Sequence, residues 1–328
     1  MNPVSAFRIS LLPASLLIAL VPVSALSQSK TERSDRWLFV GKKDSVERLE
    51  DGIFQIHGSS ENHAGVMSSS RPAPESANAV LIEATAECDA KSLTFAALDA
   101  KTGESIGYWS NPLAARSDTR LAAVLNLSAQ PKAIRIFVGS HGQAGKVRVS
   151  KIEWRFLRSG MKHSSAVYGM RIDSTRSVRQ TFRATGDRIG AVSFRIRQAK
   201  GFAERPDLVA RLYRWKRNMA ATIKSGSLVE FVVPGHQIPG TRQGASNDLD
   251  LSATYLDGAR ELCAPLPAKT RPGEKLVLEL AIHEPAEEGD GFVTFGWLDA
   301  YEGGELYENN TTRGRNWDLR LETFDVID

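Results

Sequence analysis

Lys146-Val-Arg-Val-Ser-Lys-Ile-Glu-Trp-Arg-Phe156 alternates apolar and polar residues, slips once, and alternates again. Val147 and Val149 share one face, whereas Ile152, Trp154 and Phe156 share the face of opposite parity. Successive side chains of a strand point to opposite faces, so a regular strand would bury one of these sets and expose the other. A β-bulge or bend near Ser150-Lys151 reconciles the two phases by inserting one residue. The stretch therefore predicts a half-buried strand, bent in its middle.

The same period of two recurs on both sides of it. Upstream, Ala79–Ala84, Leu93–Leu98, Ser105–Trp109, Leu121–Leu127 and Ala133–Val138 read as short strands, with Asp99–Gly103 as a turn between two of them. Downstream, Val178, Gln180 and Phe182 alternate with Arg179 and Thr181, and Val192, Phe194 and Ile196 alternate with Ser193, Arg195 and Arg197. Leu208–Trp215, Leu228–Val233, Leu276–Ile282, Phe292–Leu298 and Trp317–Phe324 continue the series. Many short strands with regular turn signals and no helical period predict an all-β chain of two consecutive antiparallel β-sandwiches. Arg158–Ser165, polar and unpatterned, is the expected linker, so the expected domains are residues 37–157 and 166–328. Pro234–Gly273 is rich in proline and glycine, with one expected strand at Leu249–Leu256. Loops of such length are usually functional or disordered.

Residues 1–27 read as a secretory signal peptide. Arg8 lies ahead of the apolar run Leu11–Val23, and Val23-Ser24-Ala25 supplies the small residues of a cleavage site. The run contains Pro13 and Pro22 and falls short of the ~20 residues of a membrane span. The expected location is secreted or periplasmic, with no membrane span in the mature chain. A hydrophobic content of 42% and a charged content of 24% for the full chain are those of an ordinary globular protein. The net charge of +4 is too mild to imply a nucleic-acid partner. The two cysteines, Cys88 and Cys263, could be bridged only with Cα atoms within about 7 Å, which no pattern indicates; buried thiols are the simpler reading.

Both halves resemble known modules. Gly52–Gly58, AVLIEATAECDAKSLTFAALDAKTGE, AIRIFVGS and KVRVSKIEWRFL make residues 37–157 similar to galactose-binding-like jelly rolls of bacterial secreted proteins. SVRQTFRATGDRIGAVSFRI, LVARLYRW, RPGEKLVLELAI and Tyr301–Tyr307, leading into Trp317–Leu319, resemble jelly-roll modules appended to bacterial extracellular enzymes and surface proteins. The resemblance implies a jelly-roll fold and carbohydrate binding, although a fold does not carry a ligand with it.

Sugar-binding sandwiches stack pyranose faces on exposed rings and read hydroxyls with polar neighbours. Tyr108 and Trp109 with Asn111 and Arg116 are the candidates in the first half; Tyr301 and Tyr307 with Asn309 are those in the second. Trp37, Trp154, Trp297 and Trp317 are expected to pack. Arg171–Arg217 holds thirteen Lys or Arg against four acids, and Ile282–Asp328 holds twelve acids against three Arg. Strands from the two segments are expected to neutralise each other across a ladder; the alternative is a basic face for an acidic polysaccharide or other anionic partner.

No catalytic motif is present. The six histidines contain no HExxH, and there is no GxSxG elbow, P-loop or GxGxxG. Glu302, Glu305 and Glu308 are expected to be solvated on a loop beside Gly303-Gly304. No cofactor is expected. Asn247, Asp248 and Asp250 are rich in oxygen but lack the calcium-loop pattern, leaving a structural Ca2+ on scattered carboxylates as an open alternative. The leading expectation is a secreted, non-catalytic protein binding a polysaccharide or surface glycan. A jelly-roll hydrolase or lyase is the second, and an adaptor with a protein partner in an envelope complex the third.

Overall fold

A computed structural model describes residues 37–42, 44–50, 52–60, 63–88, 92–112, 119–141, 144–162, 168–198, 206–238, 260–283, 291–298, 304–314 and 317–327. The expected signal peptide, the expected strand at Leu249–Leu256 and the Asn247–Asp250 run lie outside these residues. The first part of the chain forms β1 (Leu38–Val40), β2 (Val46–Glu50), β3 (Ile53–Gly58), β4 (His63–Met67), β5 (Arg71–Pro72), β6 (Ala79–Cys88), β7 (Ser92–Asp99), β8 (Ser105–Pro112), β9 (Thr119–Asn126), β10 (Ala133–His141) and β11 (Gly145–Lys162). The second part forms β12 (Tyr168–Asp173), β13 (Val178–Arg183), β14 (Arg188–Gln198), β15 (Leu208–Arg214), α1 (Met219–Lys224), β16 (Val229–Val233), β17 (Arg260–Lys269), β18 (Lys275–Ile282), β19 (Gly291–Leu298), β20 (Glu305–Glu308), β21 (Thr311–Gly314), β22 (Trp317–Leu319) and β23 (Leu321–Val326). Every strand pairing among the described residues is antiparallel.

The chain is all-β and builds two consecutive sandwiches. In the first, the sheet β1-β4-β10-β7-β8 faces β2-β3-β11-β6-β9, with Phe54, Ile82, Phe95, Ile136 and Val149 buried between them. In the second, β12-β19-β14-β23 faces β16-β15-β18-β13-β20-β21 across Phe182, Phe194, Leu208, Leu278, Phe292 and Phe324.

β11 contains the expected irregularity. Its register with β6 runs to Ser150↔Thr85, shifts, and resumes at Glu153↔Glu83, while Lys151 adopts a left-handed φ of 50°. Val147, Val149 and Phe156 consequently reach one core, with Ile152 and Trp154 packed against it. Leu157 belongs to the other core, so the strand passes between sandwiches at this residue.

The expected linker is therefore strand for most of its length. Leu157–Lys162 continues β11 and pairs with β23, making one eleven-stranded sheet run through both sandwiches. Its polar residues are satisfied by acids on β23: Arg158 lies 3.4 Å from Asp325 and Lys162 lies 3.0 Å from Glu322. Ion pairing here replaces the apolar alternation that identifies strands from sequence. A Cβ at Gly160 would come within 2.3 Å of the Thr185 hydroxyl, so glycine permits this close approach.

β17 departs from expectation because Pro265 and Pro267 lie inside it. Among the described residues it pairs with β14 alone, and Pro265 lies opposite Ala191, next to a register shift, which are the edge and bulge settings that tolerate proline. The single-turn helix α1 was also illegible as a period. Asn218 caps it by accepting the Ala221 amide, and Met219 and Ile223 pack over Tyr213, Trp215 and Val277. No helix among the described residues is long and apolar enough to cross a membrane.

Candidate functional site

The back of the first sandwich is covered by the second. Leu121, Ala123 and Leu125 of β9 enter the first core, so Ala122, Val124 and Asn126 point the opposite way. Ala79, Leu81 and Ala122 are buried with the second core. The Arg120 guanidinium lies 5.0 Å from the Phe231 ring centroid and donates to Glu83 at 2.5 Å, which also accepts from Arg155 at 2.9 Å.

Beside these contacts an open cleft of about 210 Å³ remains. One wall is Trp109 of β8 with Val124 and Asn126 of β9; the other is Glu261 and Cys263 of β17. Lys162, Ser193, Arg320 and Glu322 also line it. Lys162 pairs with Glu322 at 3.0 Å and Arg320 Nε reaches Glu261 at 3.2 Å. Cys263 is a free thiol whose pKa is pushed up, chiefly by burial and then by the Glu83 carboxylate. The cleft is small, lined by both polar and apolar groups, and open on one side.

The cleft contains one of the residues expected from sequence. Trp109 is half-buried and stacks on Phe95 with centroids 5.6 Å apart. The adjacent Tyr108 is exposed on the opposite face of β8. Asn111 lies on β8 opposite Leu93, and its side chain is outside the described part, as are Arg116 and Tyr301. Tyr307 and Asn309 lie elsewhere, on the second sandwich. Tyr307 packs near Trp215 with centroids 6.4 Å apart, and its hydroxyl donates to Glu305 at 2.9 Å. Burial, then Glu305, raises its pKa to about 12. Asn309 closes the turn after β20 with φ 52°, accepting from the Ser177 amide at 2.9 Å and donating to the Thr175 carbonyl at 3.0 Å. Its amide therefore serves the turn.

Trp37 and Trp154 pack as expected, Trp37 edge-on to Phe54 and Trp154 edge-on to Phe156, while the side chains of Trp297 and Trp317 are outside the described part. Glu305 and Glu308 are not solvated on a loop. They lie on β20, where Glu305 meets Lys275 at 3.1 Å and Glu308 pairs with Arg313 and Arg176. Glu302 lies outside the described residues.

Neutralisation between the basic and acidic segments is uneven. β14 and β23 are neighbours, but the acids of β23 take Arg158 and Lys162 of β11, and Glu322 lies opposite Ser193 rather than an arginine. Sequence reading also missed Lys162, Glu261, Arg320 and Glu322 as cleft residues. They are distant in the chain and meet only through the shared sheet, so no spacing could have revealed them. No group of three or more metal-ligating side chains occurs among the described residues.

No family model matches the chain, and no curated protein matches it. Among solved structures, the N-terminal CBM22-1-CBM22-2 tandem domain of Paenibacillus barcinonensis Xyn10C aligns over 89% of this chain and 92% of that one, with 9% identity and a TM-score of 0.26. At that score the two chains superimpose only loosely.

Proposed function

We propose that this is an exported binding protein that takes a polysaccharide or surface glycan in the cleft between its sandwiches. The observation that carries the reading is the convergence of the Trp109 ring with the hydrogen-bonding groups Asn126, Lys162, Ser193, Glu261, Arg320 and Glu322 around an open cleft. An apolar ring beside fixed donors and acceptors is the chemistry that recognises a sugar, whose faces are apolar and whose rim is hydroxylated. The galactose-binding-like resemblance of residues 37–157 points to the same ligand class, and the leader-like residues 1–27 support export. Binding is favoured over hydrolysis because both cleft carboxylates are already committed, Glu322 to Lys162 and Ser159, and Glu261 to Arg320. A glycosidase needs a carboxyl group that can donate a proton to the leaving oxygen.

Screening residues 28–328 on a polysaccharide array tests the proposal, repeated with Tyr108, Trp109, Tyr301 and Tyr307 changed singly to Ala. Trp109→Ala should weaken binding about tenfold, the scale of one lost ring contact, while Tyr307→Ala leaves it unchanged. Asn126→Ala, which leaves the Phe95–Trp109 stack intact, should also weaken binding. Absence of binding to every glycan overturns the reading. Binding lost with Tyr307→Ala but kept with Trp109→Ala moves the site to the second sandwich, and turnover of a bound glycan replaces binding with catalysis.

A further inference from the structure

We propose that Arg320, which lines this cleft, and Arg195, its neighbour on the same face of the sheet, receive an acidic group of the bound glycan, a carboxylate or a sulfate. The inference rests on the glycan reading and narrows it to an anionic polymer.

Val192, Phe194 and Ile196 of β14 enter the second core, so Ser193 and Arg195 point to the outer face, where Ser193 lines the cleft. Arg195 lies opposite Glu261 of β17. On the other flank Phe194 lies opposite Leu321, which places Arg320 beside Arg195. Three charged residues thus form a row across the sheet in the order Glu261, Arg195, Arg320. The outer two are joined, with Arg320 Nε reaching Glu261 at 3.2 Å. The side chain of the central Arg195 makes no hydrogen bond or ion pair among the described residues, and its Nε is buried without an acceptor.

A second row of two arginines and one glutamate in the same sandwich shows what a completed arrangement looks like. Arg179, Glu279 and Arg211 lie side by side on β13, β18 and β15, and there the acid is central and bonded by both arginines. In the completed row Arg211 also reaches a second acid, Glu230, at 3.0 Å, whereas in the Glu261–Arg195–Arg320 row Arg195 and Arg320 have Glu261 alone among the described residues, so two guanidinium groups share one acid and one positive charge is unmatched. Burial, then the Arg320 charge, lowers the Arg195 pKa against a smaller opposing effect of Glu261. An arginine nevertheless keeps its proton in a protein, so the imbalance persists until an anion arrives. Lys162 adds nothing to it, being paired with Glu322. The guanidinium fork matches a carboxylate or sulfate in shape, so an anion bound by both Arg195 and Arg320 would match the excess positive charge of the row.

The test measures binding of polygalacturonate against its methyl ester, and of dextran sulfate against dextran, by isothermal titration calorimetry at low and high salt. One charged polymer should bind at least about tenfold tighter than its neutral counterpart, the worth of one charge-assisted hydrogen bond, with the preference falling as salt rises. The pair that shows it distinguishes carboxylate from sulfate. Arg195→Gln and Arg320→Gln should each abolish the preference. Glu261→Gln frees Arg320 from its internal acid and should tighten binding several-fold, a gain that misfolding cannot mimic. Unchanged preference in both arginine variants, weakening by Glu261→Gln, or equal binding of charged and neutral polymers overturns the proposal. If neutral polymers bind and Trp109→Ala abolishes that binding, the cleft remains a glycan site and only the anionic inference falls. If no polymer binds, both fall.

Discussion

Glu279 offers a quantitative test of how the second sandwich is held together. It is 3% exposed on the outer face of the sheet formed by β13, β18 and β15. Arg179 approaches with Nε at 2.7 Å and Nη2 at 2.6 Å, Arg211 Nη1 lies at 3.3 Å, and the Tyr213 hydroxyl donates at 2.7 Å. Glu279→Ala leaves Arg179, itself 9% exposed, charged and deprived of its carboxylate. Breaking one side of a buried ion pair costs about 3–5 kcal/mol. Arg179 keeps the Asn309 carbonyl and the Asn310 side chain as acceptors, so the lower end, about 3 kcal/mol, is expected. With a urea m-value of about 2 kcal/mol/M, the midpoint should fall by about 1.5 M. Tryptophan fluorescence is a suitable readout because Trp215 packs on the same face. The Arg179→Leu/Glu279→Leu double variant, which buries no orphaned charge, should recover to within about 1 kcal/mol of wild type. A loss below about 1 kcal/mol for Glu279→Ala, or a double variant whose loss is the sum of the singles, refutes the reasoning.

The bulge in β11 makes a second prediction: Lys151→Gly should stabilise the fold by about 0.5–1 kcal/mol by relieving a left-handed non-glycine residue, while Lys151→Val should destabilise it by at least as much. Thermal unfolding of the pair checks both signs. The third concerns acid. Burial raises the Asp173 pKa, but the Thr175 hydroxyl and amide, Arg176 and Arg171 outweigh it, leaving the folded value below the ordinary 3.8. A depressed carboxylate stabilises the fold above its unfolded pKa and loses that contribution as pH falls through the folded one. Stability measured from pH 6 down to pH 2 should therefore fall less steeply below about pH 4 in Asp173→Asn than in wild type; parallel curves would contradict the assignment.

Residues with a visible period were readable without coordinates. The alternation at Val192–Ile196 and Leu276–Ile282, and the phase slip at Ser150-Lys151, follow from the strand rule that successive side chains oppose each other, and the structure bears each of them out. Where that rule is overridden, the sequence is silent. Arg158–Lys162 looks like a linker because its polar side chains are satisfied by acids 160 or more residues away. Pro265 and Pro267 disguise β17 because only an edge strand beside a bulge accommodates them.

The same division separates the fold from the cleft. Local patterning alone determined that this chain is all-β, antiparallel and organised as two sandwiches, because burial on one face leaves its mark every second residue. It also singled out Trp109. Tertiary structure alone decided that β11 threads one sheet through both sandwiches, that the back of β9 meets β14, β17 and β23, and that Glu261, Arg195 and Arg320 fall into one row. Registers between distant strands are set by the sum of core packing across a whole sheet, and no short stretch of sequence contains that sum.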